Sequence, residues 1–268
     1  MKDYRTASVE KKGAVATVTM LSTPTTPGNL HWDLGTVFND LRDDNEVRVI
    51  VLTGSGGVFR LPPSRRQSAG NDKRNQNPAW HWETFTGILR THHVMAEIEK
   101  PIVAKVNGDA VGFGQSLMFG CDFIVAREDA LIMDHHMAGT FTSLYGGQPE
   151  TGGSGLSNIP GDGGTSLVPL HMTPCKAKEY LMLAKQFTAR ELADMNIINY
   201  AVPAEELDIK VDEIVNLLLA RSAYALARTK RLLNRRTVEQ LNLTLDASVA
   251  YEMVTLMQPT DIYDLGGE

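Results

Sequence analysis

The sequence is poor in cysteine: two in 268 residues, Cys121 and Cys175, with no Cys-x-x-Cys spacing. That leaves no basis for a disulfide framework and suits a reduced, cytoplasmic protein. Long apolar runs are missing too. None approaches the roughly 20 residues of a membrane helix, and MKDYRTASVEKKGAVATVTM has no cationic start followed by an apolar stretch, so neither a span nor a signal peptide is expected. There is no excess of positive charge. At a formal net charge of −6 the chain has no electrostatic reason to take nucleic acid as its main partner. A complete Gly-x-Gly-x-x-Gly is absent, which argues against a dinucleotide fingerprint, and so is any short repeat.

What is present is a core. Apolar residues make up 43%, enough to fold. GAVATVTM (Gly13–Met20) is rich in β-branched residues and predicts a strand. Leu30–Asp44 places Leu30, Leu34, Val37, Phe38 and Leu41 on one helical face. Val47–Gly57 is a nearly continuous apolar run ending in glycines, a buried strand and then a loop. Strand, helix, strand predicts an α/β layer. A long polar loop follows over Phe59–Pro78, then a helix over Trp82–Lys100 that carries His92 and His93. Next come a strand in PIVAKVNG, a short helix in GFGQSLMFG and a strand in DFIVARE. Met133 to Gly164 is rich in glycine and predicts an elaborated loop over a site. Thr173-Pro174 opens a helix, and Thr188–Glu191 is a capping box for the next. From Ala204 onward only helices are expected, over Glu205–Arg221, Ala223–Arg235 and Val238–Met257. The expected organisation is a core domain of residues 1–203 and a helical region of residues 204–268, whose apolar faces predict an oligomer.

Two stretches point to chemistry. In VNGDAVGFGQSL (Val106–Leu117) a buried strand runs into glycines that open a short helix, whose free N–H groups suit an anion. In LTGSGGVFRLPPS another strand ends in glycines and an extended segment. If both turns open on one sheet edge, two peptide N–H groups converge on one carbonyl oxygen. That is an oxyanion hole, where one donor is worth about 3–4 kcal/mol.

Several titratable groups have two readings each. Asp162, in GLSNIPGDGGTSLVP, is either a cap for the helix near Thr165 or a proton carrier with a raised pKa. Glu252 shares an apolar stripe with Val238, Leu241, Leu245, Val249 and Leu256. A carboxylate there needs a partner, in an ion pair or a site. His31 opens a helix, as a surface or capping group or a functional one. One of the adjacent His135 and His136 is expected to face inward. With Asp134 they invite a metal, but a well-spaced further ligand is missing, so no metal is assigned. The basic set Arg228, Lys230, Arg231, Arg235 and Arg236 is either a solvated face or a contact for a phosphate-bearing tail.

These stretches resemble the crotonase superfamily, the enoyl-CoA hydratase/isomerase fold, over nearly the whole chain. DLRDDNEVRVIVLTGSGGVF resembles its entry to the first oxyanion loop, and EKPIVAKVNGDAVGFGQSLMFGCDFIVARED resembles its most specific signature. IPGDGGT is similar to its next glycine loop, and AKEYLMLAKQFTARELADMNIINYAVP to its following segment. The resemblance implies a spiral of strand-strand-helix turns, a C-terminal region that forms a trimer or hexamer, and an enolate held by two amides. By position these belong to Leu61 and Phe113. It implies no permanently bound cofactor, with CoA possible as part of the substrate, and no membrane partner.

The departures bear on the reaction. The first loop reads FRLPPS, with Pro62 where the family carries glycine and Ser64 where it carries an acid. The first glutamate of hydratases is replaced by Ser116. Glu150 has the neighbours of the second but lies further upstream, beside an apparent insertion over residues 139–155. The 6-oxocamphor hydrolase branch, which cleaves cyclic β-diketones without CoA, is similar in lacking those glutamates. Its matching groups here are Asp162, His135 or His136, His31 and Glu252; its histidine in the second oxyanion loop has no counterpart, Phe113 standing near there. The prior across the fold ranks hydration or isomerisation of an acyl-CoA first and hydrolytic cleavage of a β-diketone next. A binding subunit without catalysis is a third expectation.

Overall fold

The computed structural model describes residues 4–22, 28–61, 78–138 and 158–257. Strands β1 (Ala7–Lys12) and β2 (Val15–Met20) form an antiparallel hairpin across Gly13, whose φ is +57°. Helix α1 (Leu30–Asp43) starts at the Asn29 cap and leads to β3 (Val49–Gly54). Helix α2 (Pro78–Glu97) starts four residues earlier than the apolar pattern predicts and stops before Pro101. Strands β4 (Ile102–Val106) and β5 (Ala110–Val111), helix α3 (Phe113–Phe119), and strands β6 (Phe123–Arg127) and β7 (Leu131–Met133) follow. After them come α4 (Gly164–His171), α5 (Pro174–Met182), β8 (Phe187–Thr188), α6 (Ala189–Asp194) and β9 (Tyr200–Val202). The chain closes with α7 (Leu207–Leu219), α8 (Ala223–Leu233) and α9 (Arg235–Met257). The capping box at Thr188–Glu191 is formed as expected.

Six strands make one sheet in the order β1-β2-β3-β4-β6-β9, parallel from β2 onward. Strands β5, β7 and β8 make a smaller one. The pairs β4–β5 and β6–β7 each lay one strand in the large sheet and the next in the small one, and after β3 the chain adds a bridge from Arg60 to Ala110 of the small sheet, the repeat of a strand-strand-helix spiral.

The buried strands are apolar on both faces because both are covered. Ile50, Leu52, Ile102 and Ala104 face the main core with α1, α2 and α9, while Val49, Val51, Val103 and Val125 face Val211, Ile214, Val215 and Leu218 of α7. Helix α9 lies against α2 and α4. Its buried residues Leu241, Leu245, Val249 and Glu252 follow one stripe, which carries Glu252 into the interior. Among the described residues no helix is long and apolar enough to cross a membrane. Pro62, Ser64, Glu150 and the 139–155 insertion lie outside the described residues.

Candidate functional site

Two glycine turns meet first. The chain after β3 pairs with the start of β5: the Arg60 amide donates to Asp109 O at 3.0 Å, and the Val111 amide donates to Arg60 O at 2.9 Å. A Cβ on Gly114 would stand 2.8 Å from Arg60 O, so only glycine lets the turns approach this closely. Leu61 and Phe113, the two expected amide donors, are the next residue on one turn and the preceding residue on the other. Among the described residues neither amide has an acceptor.

Aromatic rings crowd the second turn. His31 packs on Phe113 with centroids 4.3 Å apart, and His92 meets the same ring edge-on at 5.8 Å. His31 is half-buried, its Nδ1 3.0 Å from Asn29 Oδ1, so it is neither a surface group nor the cap; Asn29 caps the helix. Burial first, then Arg60, His92 and His136, push its pKa down to about 3. His135 is half-buried beside the backbone of Gly112, where an added Cβ would be 2.6 Å from the ring. Burial and His136 push it down to about 3 as well. Burial pushes His92 down to about 4, so all three rings, His31, His92 and His135, are neutral at pH 7.

Behind them lies a buried acid–base cluster. Past β7 the chain turns into a short 3-10 segment, so Asp134 Oδ1 accepts from both the amide and the Nδ1 of His136, at 3.0 and 2.7 Å. The opposite ring nitrogen, Nε2, lies 3.4 Å from Glu252 Oε1 and 3.8 Å from Asp162 Oδ2. Burial alone would lower the His136 pKa, but Asp134, Asp162 and Glu252 outweigh it and hold it well above 6.5. Burial would raise Asp134, and its contacts to His136 instead hold it below 3.8. Asp162 is pushed up to about 8, chiefly by burial and then by Glu252 and Asp134, against the pull of His136 and Ser116. A charged dyad thus faces a carboxyl group that is a neutral acid at pH 7.

Asp162 is not a helix cap. The helix begins at Gly164, the cap position is Gly163 at φ +123°, and the Asp162 carboxyl turns inward to accept from Ser116 at 3.1 Å. Its backbone carbonyl accepts from His92 Nε2 at 2.7 Å. Gly161 presses on α9, where a Cβ would meet Ser248 O at 2.5 Å and Glu252 Oε2 at 2.6 Å, while a Cβ on Gly163 would meet His92 Nε2 at 2.5 Å and one on Gly164 would meet Asp134 Oδ2 at 2.7 Å, so these glycines make room for α9 and for the side chains of the site. Glu252 accordingly partners His136 of the site. Its Oε2 is buried with no hydrogen-bond partner among the described residues.

The structure thus brings Asp162, His136 and Glu252 into direct proximity, with His135 and His31 on the flank formed by Gly112 and Phe113. The sequence places one of His92 and His93 inside and one outside, and His92 is the buried one while His93 is half-buried, but it gives His92 no role and does not single out Gln115 or the Asp134–His136 pairing. His92 sits on a helix stripe among Phe85, Ile88 and Met95, and a polar group in that stripe was its one available signal. Atoms of Asp134, His135 and His136 lie within 4.8 Å of one another. Asp134, however, already accepts from His136 on one oxygen and from Gln115 on the other, at 3.1 Å, the bonding of an ion-pair partner rather than a metal ligand. Of the basic set, Arg228, Arg231, Arg235 and Arg236 are exposed, as a solvated face requires, and Lys230 is the exception. Lys230 is buried between Asp122 at 2.7 Å and Lys100 O at 3.0 Å, and Arg228 and Arg231 pair with Glu99.

Comparison with known proteins agrees with this architecture. A probable mitochondrial enoyl-CoA hydratase of Dictyostelium discoideum is 29% identical, over 94% of this chain and 82% of its own length. An enoyl-CoA hydratase/isomerase structure from Mycobacterium paratuberculosis superposes with a TM-score of 0.81 at 23% identity, covering 95% of both chains. A β-diketone hydrolase from the cyanobacterium Anabaena, bound to (S)-3-oxocyclohexyl acetic acid, superposes at 0.76 with 21% identity, covering 94% of both. At these identities the two structures establish the fold. The sequence pattern of the enoyl-CoA hydratase/isomerase family matches residues 10–258, and with that extent of match the chain belongs to this family.

Proposed function

We propose that the protein hydrolyses a carbon–carbon bond between the two carbonyls of a cyclic β-diketone. The observation that carries this reading is the placement of His136 between Asp134 on one side and Glu252 and Asp162 on the other, with a serine at position 116 in place of a base. Cleavage needs a water nucleophile, a sink for the electron pair that leaves the broken bond, and an acid to protonate carbon. Glu252, through its unpartnered Oε2, takes the proton of the attacking water. Hydroxide adds to one carbonyl carbon, the adjacent carbon–carbon bond breaks, and its electron pair becomes an enolate on the other carbonyl. The amides of Leu61 and Phe113 hold that enolate oxygen. Asp162, neutral at pH 7, gives its proton to the enolate carbon. His136 then returns the proton from Glu252 to Asp162, so water is consumed and the enzyme is regenerated. The neutral rings of His31 and His135 line the approach without placing a cation beside the reacting carbonyls. The Anabaena relative's description as a β-diketone hydrolase accords with this chemistry.

A second reading has its own support. The Dictyostelium relative is described as an enoyl-CoA hydratase, and Glu252 and Asp162 could add water across an enoyl thioester as base and acid. One pair of assays separates the two. Under the first reading a bicyclic or alkyl-substituted 1,3-dione is consumed with one acid equivalent released per turnover, and millimolar CoA or acetoacetyl-CoA leaves the melting temperature unchanged. Under the second, crotonyl-CoA is hydrated, and CoA at 100 times its Kd adds about 2.7 kcal/mol of stability. Turnover of neither substrate refutes both and favours a binding subunit.

We also propose assembly into a homotrimer or hexamer through the helical C-terminal region. Tyr224, Leu232, Leu233, Leu243 and Tyr251 are large apolar groups left exposed on α8 and α9, which supports a partner there.

A further inference from the structure

Five side chains, His136, Asp134, Gln115, Ser116 and Asp162, close a ring of contacts. Asp134 Oδ1 binds its Nδ1 at 2.7 Å, and Asp134 Oδ2 accepts from Gln115 Nε2 at 3.1 Å. The same Gln115 nitrogen donates its other hydrogen to Ser116 Oγ at 2.9 Å. Ser116 Oγ donates to Asp162 Oδ1 at 3.1 Å, and Asp162 Oδ2 returns to His136 Nε2 at 3.8 Å. Gln115, Ser116 and Asp134 are fully buried, so no bulk water competes for these bonds.

We propose that Gln115 and Ser116 are positioning residues whose bridge dictates which oxygen of Asp162 carries its proton. A hydroxyl has one hydrogen. With Gln115 already donating to it, Ser116 spends that hydrogen on Asp162 Oδ1, the one acceptor it has among the described residues. Oδ1 is thereby held as an acceptor, and the acid hydrogen resides on Oδ2, which at 3.8 Å is too far from His136 Nε2 to accept its hydrogen, a hydrogen directed at Glu252 Oε1 at 3.4 Å. A carboxylic acid free to choose would present its hydrogen on the wrong side for part of the time. Position 116 therefore has an active orienting task and is more than a vacated glutamate site. The same bond holds Asp162 in reach of both His136 and Glu252. The charged or titratable groups that face Asp162 are His136 and Asp134 from the segment after β7, Glu252 from α9 and His92 from α2, and none of them donates to Oδ1. The inference rests on the proposed role of Asp162 as proton carrier.

The test reads Asp162 itself. The carboxylic-acid C=O stretch that disappears in Asp162→Asn is followed by difference infrared spectroscopy against pH, with no substrate present. Ser116 stabilises the ionised carboxyl by donating to it, so Ser116→Ala is expected to move the midpoint of the wild-type band upward by about one pH unit. Ser116→Cys, a weaker donor, falls between them and serves if the alanine variant does not fold. On whichever substrate the wild type turns over, kcat drops about tenfold in Ser116→Ala with KM unchanged. An unchanged midpoint in both variants, or a wild-type spectrum at pH 7 with no band assignable to Asp162, overturns the inference. Failure of the proposed reaction appears separately, as absence of dione turnover, while the infrared midpoint still decides the bridge.

Discussion

His136→Gln is expected to reduce kcat by about a thousandfold, with KM changed by no more than a few-fold. His136 is the one group in contact with both Glu252 and Asp162, at 3.4 and 3.8 Å, so the proton taken from water has no other relay among the described residues. General acid–base groups contribute roughly a hundred- to ten-thousandfold, and the upper part of that range applies because one residue serves two transfers. Glutamine keeps an amide that can donate to Asp134, so the buried carboxylate is not stranded. Because His136, Glu252 and Asp162 act as one unit, adding Asp162→Asn to His136→Gln should cost little more than either change alone. Steady-state kinetics on the single and double variants check this; losses that multiply would show the residues act independently.

Asp162→Asn has the next largest effect, and it works in opposite directions on activity and stability. Turnover needs the acid form. With its pKa pushed up to about 8, wild-type kcat falls as pH rises through that value, and the asparagine variant loses about a hundredfold or more at every pH. Stability follows the other sign. The folded state holds this proton up to about pH 8, whereas the unfolded chain releases it near 3.8. The folded protein therefore binds more protons across that window, and wild-type stability declines as pH rises through it. Asparagine has no proton to lose. Asp162→Asn should melt at nearly the wild-type temperature at pH 4 and several degrees above it at pH 9. Melting curves at both pH values check the sign, and a variant less stable than wild type at pH 9 would show that the carboxyl is not buried in its neutral form.

Much of this was readable along the chain, and the boundary has physical reasons. Glu252 could be found because an α-helix repeats every 3.6 residues, and a carboxylate on the stripe of Leu241, Leu245 and Val249 has to be buried. The meeting of the two glycine turns followed from strands that end in glycine on one sheet. Strand β1 was missed because ASVEKK lies at the sheet edge, with one fully buried residue and little apolar signal. Strands β5 and β8, two residues each, are too short to show a period. His92 was left among the core residues, because only the fold brings that face of α2 against the Asp162 carbonyl. Asp162 as a cap was a local rule applied to a turn packed between α9, α2 and α3: Gly163 takes the cap position, and the carboxyl is released for Ser116.

Water and an enolate handled within one cluster leave an isotopic record in the product. A cyclic 1,3-dione with two carbon substituents between its carbonyls, and so no hydrogen there to exchange beforehand, is turned over in D₂O enriched in H₂¹⁸O, and the product is read by mass spectrometry and NMR. The expected product carries one ¹⁸O in the new carboxylate and one deuterium, in a single configuration, on the carbon released from the broken bond. Dione left intact while crotonyl-CoA is hydrated, or deuterium delivered to both faces of that carbon, would contradict it.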